Sequence, residues 1–377
     1  MEKLIVSTVG KTYPIYIKSG LFITLPEIFK EKYYGKKIAL VSDSNVYSLY
    51  GECLNAELTE AGFSVVPIVF KAGETQKNFT TLEYIYSVLA DNYFTRSDMV
   101  SALGGGVTGD IAGLAAATFL RGMGFVQIPT TLLAMVDSSI GGKVAVDLPQ
   151  GKNLVGAFYQ PDAVYTDPKL LKTLTDSQFA DGMAELLKHG FIRNINLYNI
   201  LTDIKLQQLS VSSDSLSDVR AKLEPEMDHI IKESCKIKRD IVQLDEKDNG
   251  VRQLLNFGHT IGHAIEKVQN YNGLTHGQAI SIGMVLITRL TEVMNLTITG
   301  EAKKIENALK IFKLPVSMPS IDIKALIEAI KIDKKARSDK ITISYINKIG
   351  NGKLLEFDIN DMEEKIYGLI SNNTFTS

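Results

Sequence analysis

Apolar and polar positions follow two different textures along the 377 residues. Between about 37 and 170, short β-rich runs alternate with helical patterns. KKIALVSD, FSVVPIVF, SDMVSALGGG and GMGFVQIPTT each end in a polar or Gly-rich turn and lead into an apolar-periodic segment. That alternation predicts βαβ units and a mostly parallel sheet, with function at the loops that follow the strands. The N-terminal MEKLIVSTVGKTYPIYI reads as strand–turn–strand. From about 176 the β signals fade. MAELLKHGFI, LEPEMDHIIKESCKIKRDIVQL, VRQLLNFGHTIGHAIEKV and GQAISIGMVLITRLTEVM carry i, i+3, i+4 apolar spacing and predict helices. The charged segment DKKARSDK then precedes a predicted strand, KITISYI. The reading is an α/β domain over 1–175 and a mainly helical domain over 176–377, with the boundary set by texture alone.

Composition narrows the class. With 45% hydrophobic and 22% charged residues the chain reads as globular, long enough for two ordinary domains. Lys plus Arg (41) nearly balances Asp plus Glu (43), which gives no indication of a nucleic-acid or acidic-membrane partner. No apolar run approaches the ~20 residues of a membrane span. Cys53 and Cys235 lie far apart without CxxC spacing, so neither a disulfide framework nor a thiolate metal site is expected. A reduced, cytoplasmic compartment fits best.

Two segments carry the chemistry. Residues 252–278 hold three of the five histidines, His259, His263 and His276. His259 and His263 are one helical turn apart on one face, where two imidazoles can share an ion or divide into ligand and acid/base. On spacing alone these two would be paired. Farther upstream, the strand 98–103 runs into Gly104-Gly-Gly-Val-Thr-Gly109-Asp110 and a helical pattern. Gly104, Gly106 and Gly109 satisfy G-x-G-x-x-G in the strand-before, helix-after context that binds a pyrophosphate. The loop is not in the first βα turn, and no acid stands about 20 residues on, so a dinucleotide would bind in a variant mode.

Taken together, the motifs resemble the 3-dehydroquinate synthases, sugar-phosphate cyclases of the shikimate pathway. The matching blocks are AGETQK (72–77), GGGVTGD (104–110), FLRG (119–122), IPTTLLAMVDSSIGGKVAVD (128–147), GKNLVGAFYQP (151–161), MAELLKHG (183–190), the Lys238 region and RQLLNFGHTIGHAIE (252–266). The resemblance implies a Rossmann-like NAD-binding domain over 1–175, a mainly α-helical metal- and substrate-binding domain over 176–377, and a homodimer. It places one divalent metal, Zn2+ or Co2+, on Glu185, His259 and His276, a set that leaves positions open for substrate. Its choice of His276 over His263 departs from the spacing-based pairing. NAD+ is assigned to Asp43, Gly73, Glu74, Lys77, Gly106, Val107, Thr108, Gly109, Asp110, Thr130, Thr131, Lys143, Lys152 and Thr173.

The implied substrate, 3-deoxy-D-arabino-heptulosonate 7-phosphate, carries a carboxylate, a phosphate and hydroxyls, which call for converging cations and donors. Its binding falls to Arg121 (reaching the neighbouring subunit), Lys143, Asn153, Arg252, Asn256, His263 and Lys334. The catalytic set is Asp137, Lys143, Lys188, Lys238, Asn256 and His263. In the implied reaction the metal acidifies the C5 hydroxyl and NAD+ takes the C5 hydride. Phosphate then leaves by β-elimination, the hydride returns, and ring opening with aldol closure gives 3-dehydroquinate. One departure is Gln278, where the family usually has Glu; a carboxylate there could orient a ligand from outside the ligand set. The rival readings are a sister cyclase acting on a neutral sugar phosphate, a plain NAD- and metal-dependent alcohol dehydrogenase, and a non-catalytic binding protein.

Overall fold

The computed structural model describes residues 1–213, 215–334, 340–358, 361 and 364–368, without the side chains of 332–334. The chain forms two compact units, Met1–Leu174 and Thr175–Ser377. The first holds strands β1 (Glu2–Ser7), β2 (Thr12–Ile17), β3 (Ile38–Asp43), β4 (Val65–Phe70), β5 (Met99–Gly104), β6 (Gly124–Pro129), β7 (Lys143–Leu148), β8 (Gly151–Phe158) and β9 (Ala163–Thr166). Its helices are α1 (Leu25–Tyr33), α2 (Ser44–Val46), α3 (Glu52–Glu60), α4 (Phe79–Asp91) and α5 (Gly106–Thr118).

Seven strands form one sheet in the order β1-β2-β9-β6-β5-β3-β4. β1 and β2 pair antiparallel, and every other neighbouring pair is parallel. β5 is buried along its whole length, which is why it reads as a continuous apolar run. The chain order reverses between β3 and β5, and the crevice outside their carboxyl ends is where such sheets bind ligands. The sequence reading missed the separate β7–β8 hairpin. Val144 and Val146 of β7 join the core beneath α5, whereas β8 leaves Leu154 and Phe158 exposed.

The second unit contains α6 (Asp176–Arg193), α7 (Ile195–Leu201), α8 (Ile204–Ser212), α9 (Ser217–Leu223), α10 (Met227–Leu244), α11 (His259–Val268), α12 (His276–Val293), α13 (Glu301–Ile311), α14 (Ile323–Lys334) and a hairpin, β10 (Lys340–Lys348) and β11 (Asn351–Asp358). Met227, Ile230, Ile231, Ile237 and Ile241 bury one face of α10, as their spacing predicts. One expected element is divided. VRQLLNFGHTIGHAIEKV is not a continuous helix but a 3-10 turn, Val251–Asn256, followed by a break and then α11.

Gly258, at φ +81°, makes that break. It also lies where α11 and α12 touch through backbone. A Cβ on Gly283 would stand 2.0 Å from the Gly258 carbonyl oxygen, and one on Gly262 would stand 2.9 Å from Ile280 Cα. The apolar period runs through Gly258 because both flanking segments face the same core. The left-handed turn therefore leaves no mark in the pattern. Its effect is to place His259 at the first residue of α11, just as His276 is the first residue of α12.

Candidate active site

In the second unit, α6, α11 and α12 bring Glu185, His259 and His276 together, with one ligand atom from each within 4.8 Å of the others. Both Nε2 atoms lie 3.3 Å from Glu185 Oε1. Outward-facing partners hold the rings. His259 Nδ1 is 3.2 Å from the Phe257 carbonyl, and His276 Nδ1 is 3.4 Å from Glu266 Oε2. A carbonyl can only accept, so the neutral His259 ring carries its proton on Nδ1 and aims the Nε2 lone pair at a carboxylate. Two acceptors face to face are repulsive unless a cation or proton lies between them. A carboxylate or carbonyl behind each ligating imidazole is the usual support of a metal site. The donor set therefore fits a divalent ion with N/O preference.

Electrostatics are consistent with that fit. Burial would raise the Glu185 carboxyl, but the Lys188 ammonium and both imidazoles hold it well below the usual range. Lys188 is paired to Glu185 one turn along α6, and both are fully buried. Burial and Lys188 keep His259 below its ordinary value. For His276 burial pulls down, yet Glu185 and Glu266 outweigh it and push the ring up to about 10. An arriving metal must displace that proton.

His263, paired with His259 on spacing alone, is exposed. Its ring centroid lies 5.3 Å from His259 and 5.9 Å from His276, and it groups with Glu266 and His276 rather than with Glu185. Lys238 and Arg252 are buried, and Asn256 is half-buried at the end of the 3-10 turn. Asp245 accepts from the Gly250 and Arg252 amides at 2.7 and 3.0 Å, and Arg252 Nη1 donates to the Glu246 carbonyl at 2.6 Å. The side chain of Lys334 lies outside the described residues. His189 is buried, with Nδ1 2.6 Å from Ser234 Oγ, and His229 is exposed.

Gln278 does not approach the ligand set through its carbonyl. Its Oε1 accepts the Thr275 amide at 3.0 Å, capping α12. A Glu there would offer the same oxygen, so this departure concerns the helix cap; the carboxylate behind a ligand is Glu266. Sequence reading missed Glu266 and Asp181, because a single acid in a helical pattern carries no distinguishing signal.

In the first unit the expected cofactor residues gather at the carboxyl ends of the sheet strands and in nearby loops. α5 opens at Gly105 without a side-chain cap, so its first-turn amides are available to an anion. Cβ atoms on Gly105 and Gly106 would lie 3.1 Å from Thr131 Cγ2 and 3.2 Å from Ser138 Oγ, so glycine lets this loop pack closely there while the uncapped start of α5 forms a backbone cradle. A Cβ on Gly109 would meet Gln127 Oε1 at 2.8 Å, so this glycine serves helix–strand packing. Thr108 is buried and Val107 packs against the core. At the end of β6, Thr130 Oγ1 is buried with no hydrogen-bond partner among the described residues. Thr131 caps the following turn through the Ala134 amide at 3.2 Å. The cradle and the orphaned hydroxyl fit a phosphate-bearing cofactor.

Asp43, at the end of β3, accepts the Asn45 and Val46 amides at 3.0 and 3.1 Å. Lys77 is buried between Asp110 Oδ2 and Asn153 Oδ1, both at 2.5 Å. Burial would lower its pKa, but Asp110 keeps it raised. Asn153, at φ +56°, was expected only against substrate, yet here it joins that cluster. Glu74 follows Gly73 (φ +125°) and lies 3.4 Å from Lys152. Thr173 Oγ1 pairs with the Tyr50 hydroxyl at 2.7 Å. Asp137 is half-buried, Lys143 is exposed at the start of β7, and Arg121 is exposed at φ +66° beside Leu120 at φ +50°.

Family models described as 3-dehydroquinate synthase N-terminal and C-terminal match residues 67–181 and 182–336. The chain belongs to the 3-dehydroquinate synthase family. It is 42% identical to the 3-dehydroquinate synthase of Clostridium kluyveri over 370 residues, covering 98% of each chain. Against the 3-dehydroquinate synthase of Clostridium acetobutylicum it is 44% identical over 340 residues, 90% of this chain and 92% of the relative. Among solved structures, a 2-epi-5-epi-valiolone synthase from Streptomyces hygroscopicus with NAD+ and Zn2+ bound gives a TM-score of 0.84 at 25% identity, covering 98% of this chain and 99% of that one. Among the described residues, no helix is long and apolar enough to cross a membrane.

Proposed function

We propose that this chain is a 3-dehydroquinate synthase, converting 3-deoxy-D-arabino-heptulosonate 7-phosphate to 3-dehydroquinate and phosphate with NAD+ and one divalent metal, as a cytoplasmic homodimer. The observation that carries the reading is the convergence of Glu185, His259 and His276, each with a supporting partner, in a chain similar to these synthases over nearly its whole length. Glu185, His259 and His276 hold the metal, which supplies Lewis acidity to the substrate hydroxyls; NAD+, on the α5 cradle and Thr130, supplies a hydride acceptor regenerated within each turnover.

The remaining residues bind and orient. Arg252, fixed by Asp245 and Glu246, together with Lys238, Lys143, Asn256 and Lys334, holds the substrate's anions and hydroxyls. Lys188 keeps Glu185 ionised. Asp137 orients hydroxyls, and exposed His263 holds or moves a proton at the departing phosphate. Lys77 fixes Asp110 and Asn153 beside the cofactor loop. Arg121, on its tight exposed turn, reaches the active site of a second subunit.

The test is phosphate release from the heptulosonate phosphate with trace NAD+. Phosphate should appear in step with 3-dehydroquinate, and NADH should not exceed one equivalent of enzyme. Chelation should abolish turnover and Zn2+ or Co2+ restore it; His276→Ala should lose the metal, whereas His263→Ala should keep it and lose turnover. NADH that grows continuously without phosphate would mean an alcohol dehydrogenase. Equal turnover of a neutral sugar phosphate would mean a sister cyclase.

A further inference from the structure

Asp181 lies one turn before Glu185 on α6 and shares its face. Its Oδ1 accepts from the Thr275 hydroxyl at 2.5 Å and from the Gly277 amide at 3.1 Å. These two donors flank His276 in sequence. The first amides of a helix have no partners within it, so Asp181 caps α12 from another helix and places negative charge at its positive end. The helices also touch here without side chains between them. A Cβ on Gly277 would lie 2.4 Å from Asp181 Cα.

We propose that Asp181 is a positioning residue for the metal site: by holding the Thr275 hydroxyl and the Gly277 amide, on either side of His276, it sets the distance between the His276 ring and Glu185. One helix thus carries both the ligand carboxylate and the clamp for the second imidazole, with the one-turn repeat of α6 as the spacer. Glu266 fixes the ring's rotation, and Asp181 fixes where the ring's backbone stands. This rests on the metal-set reading above.

The experiment is a Co2+ titration of metal-free protein, read by the visible absorption of the bound ion, beside thermal melting of the metal-free form. Asp181→Ala should weaken Co2+ binding roughly 10–100-fold, as loss of a support behind a ligand does, and should alter the Co2+ spectrum. Asp181→Asn keeps an oxygen able to accept both bonds and should restore most of the affinity. Thr275→Val, which removes one of the two bonds, should fall between wild type and Asp181→Ala; it also carries the test if Asp181→Ala fails to fold. A folded Asp181→Ala protein, or Thr275→Val in its place, that melts earlier yet binds Co2+ with wild-type affinity and spectrum would overturn the inference. The metal-set reading fails separately, if His276→Ala binds Co2+ as tightly as wild type.

Discussion

The buried hydroxyl of Thr130 separates a residue kept for the fold from one kept for a ligand. No described residue satisfies Oγ1, so Thr130→Val deletes no internal bond. The variant should melt like wild type while NAD+ binds roughly 3–10-fold more weakly, the equivalent of about 0.5–1.5 kcal/mol for one hydrogen bond. Calorimetric NAD+ titration and thermal melting together check this; an earlier melt with unchanged NAD+ affinity would make the hydroxyl structural. Legibility at this scale was uneven. Glycines and histidines stand out because few positions need them. Glu185, Glu266 and Asp181 do not, since a helical acid is ordinarily solvated, and Glu185 was reached only through the resemblance. Its complete burial beside Lys188 is a fact of packing that no spacing rule contains.

At the scale of elements, four parallel strands were plain in the sequence: β3, β5 and β6 are buried almost throughout and leave near-continuous apolar runs that end at Asp43, Gly104 and Pro129, and the edge strand β4, though only partly buried, is rich in Val and ends at Phe70. The β7–β8 hairpin was not, because GKNLVGAF buries little and its half-exposed positions follow no strict alternation. The break at Gly258 was hidden by a continuing apolar period. That break and the seam beside it are testable. Gly283→Ala would drive a methyl into the Gly258 carbonyl, and overpacking of this kind typically costs about 1–3 kcal/mol. The variant should melt earlier and, with His259 displaced from His276, bind Co2+ more weakly than wild type. A protein with wild-type melting and Co2+ affinity would show that α11 and α12 do not depend on that contact.

For the whole molecule, the exposed left-handed turn at Leu120 and Arg121 makes a prediction about subunits. If Arg121 completes the active site of a second copy, Arg121→Ala and His276→Ala are each inactive, yet a mixed dimer contains one intact site. Mixing, with exchange of subunits, should recover about a quarter of wild-type turnover, from half the dimers each carrying half the sites. No recovery despite proven exchange would place Arg121 in its own subunit's site. The pairing of charges around Glu185, His259 and His276 has one more consequence. Glu185 is paired with Lys188, and Glu266 with the His276 ring, which Glu185 and Glu266 together favour in its charged form. Neither Glu185 nor Glu266 is thereby left as an uncompensated buried charge, the arrangement that would be most costly to the fold. A divalent ion that displaced the His276 proton would bring two charges and remove one, a net change of a single unit. The chain is therefore expected to fold before it meets an ion, and exhaustive chelation should leave its melting transition cooperative.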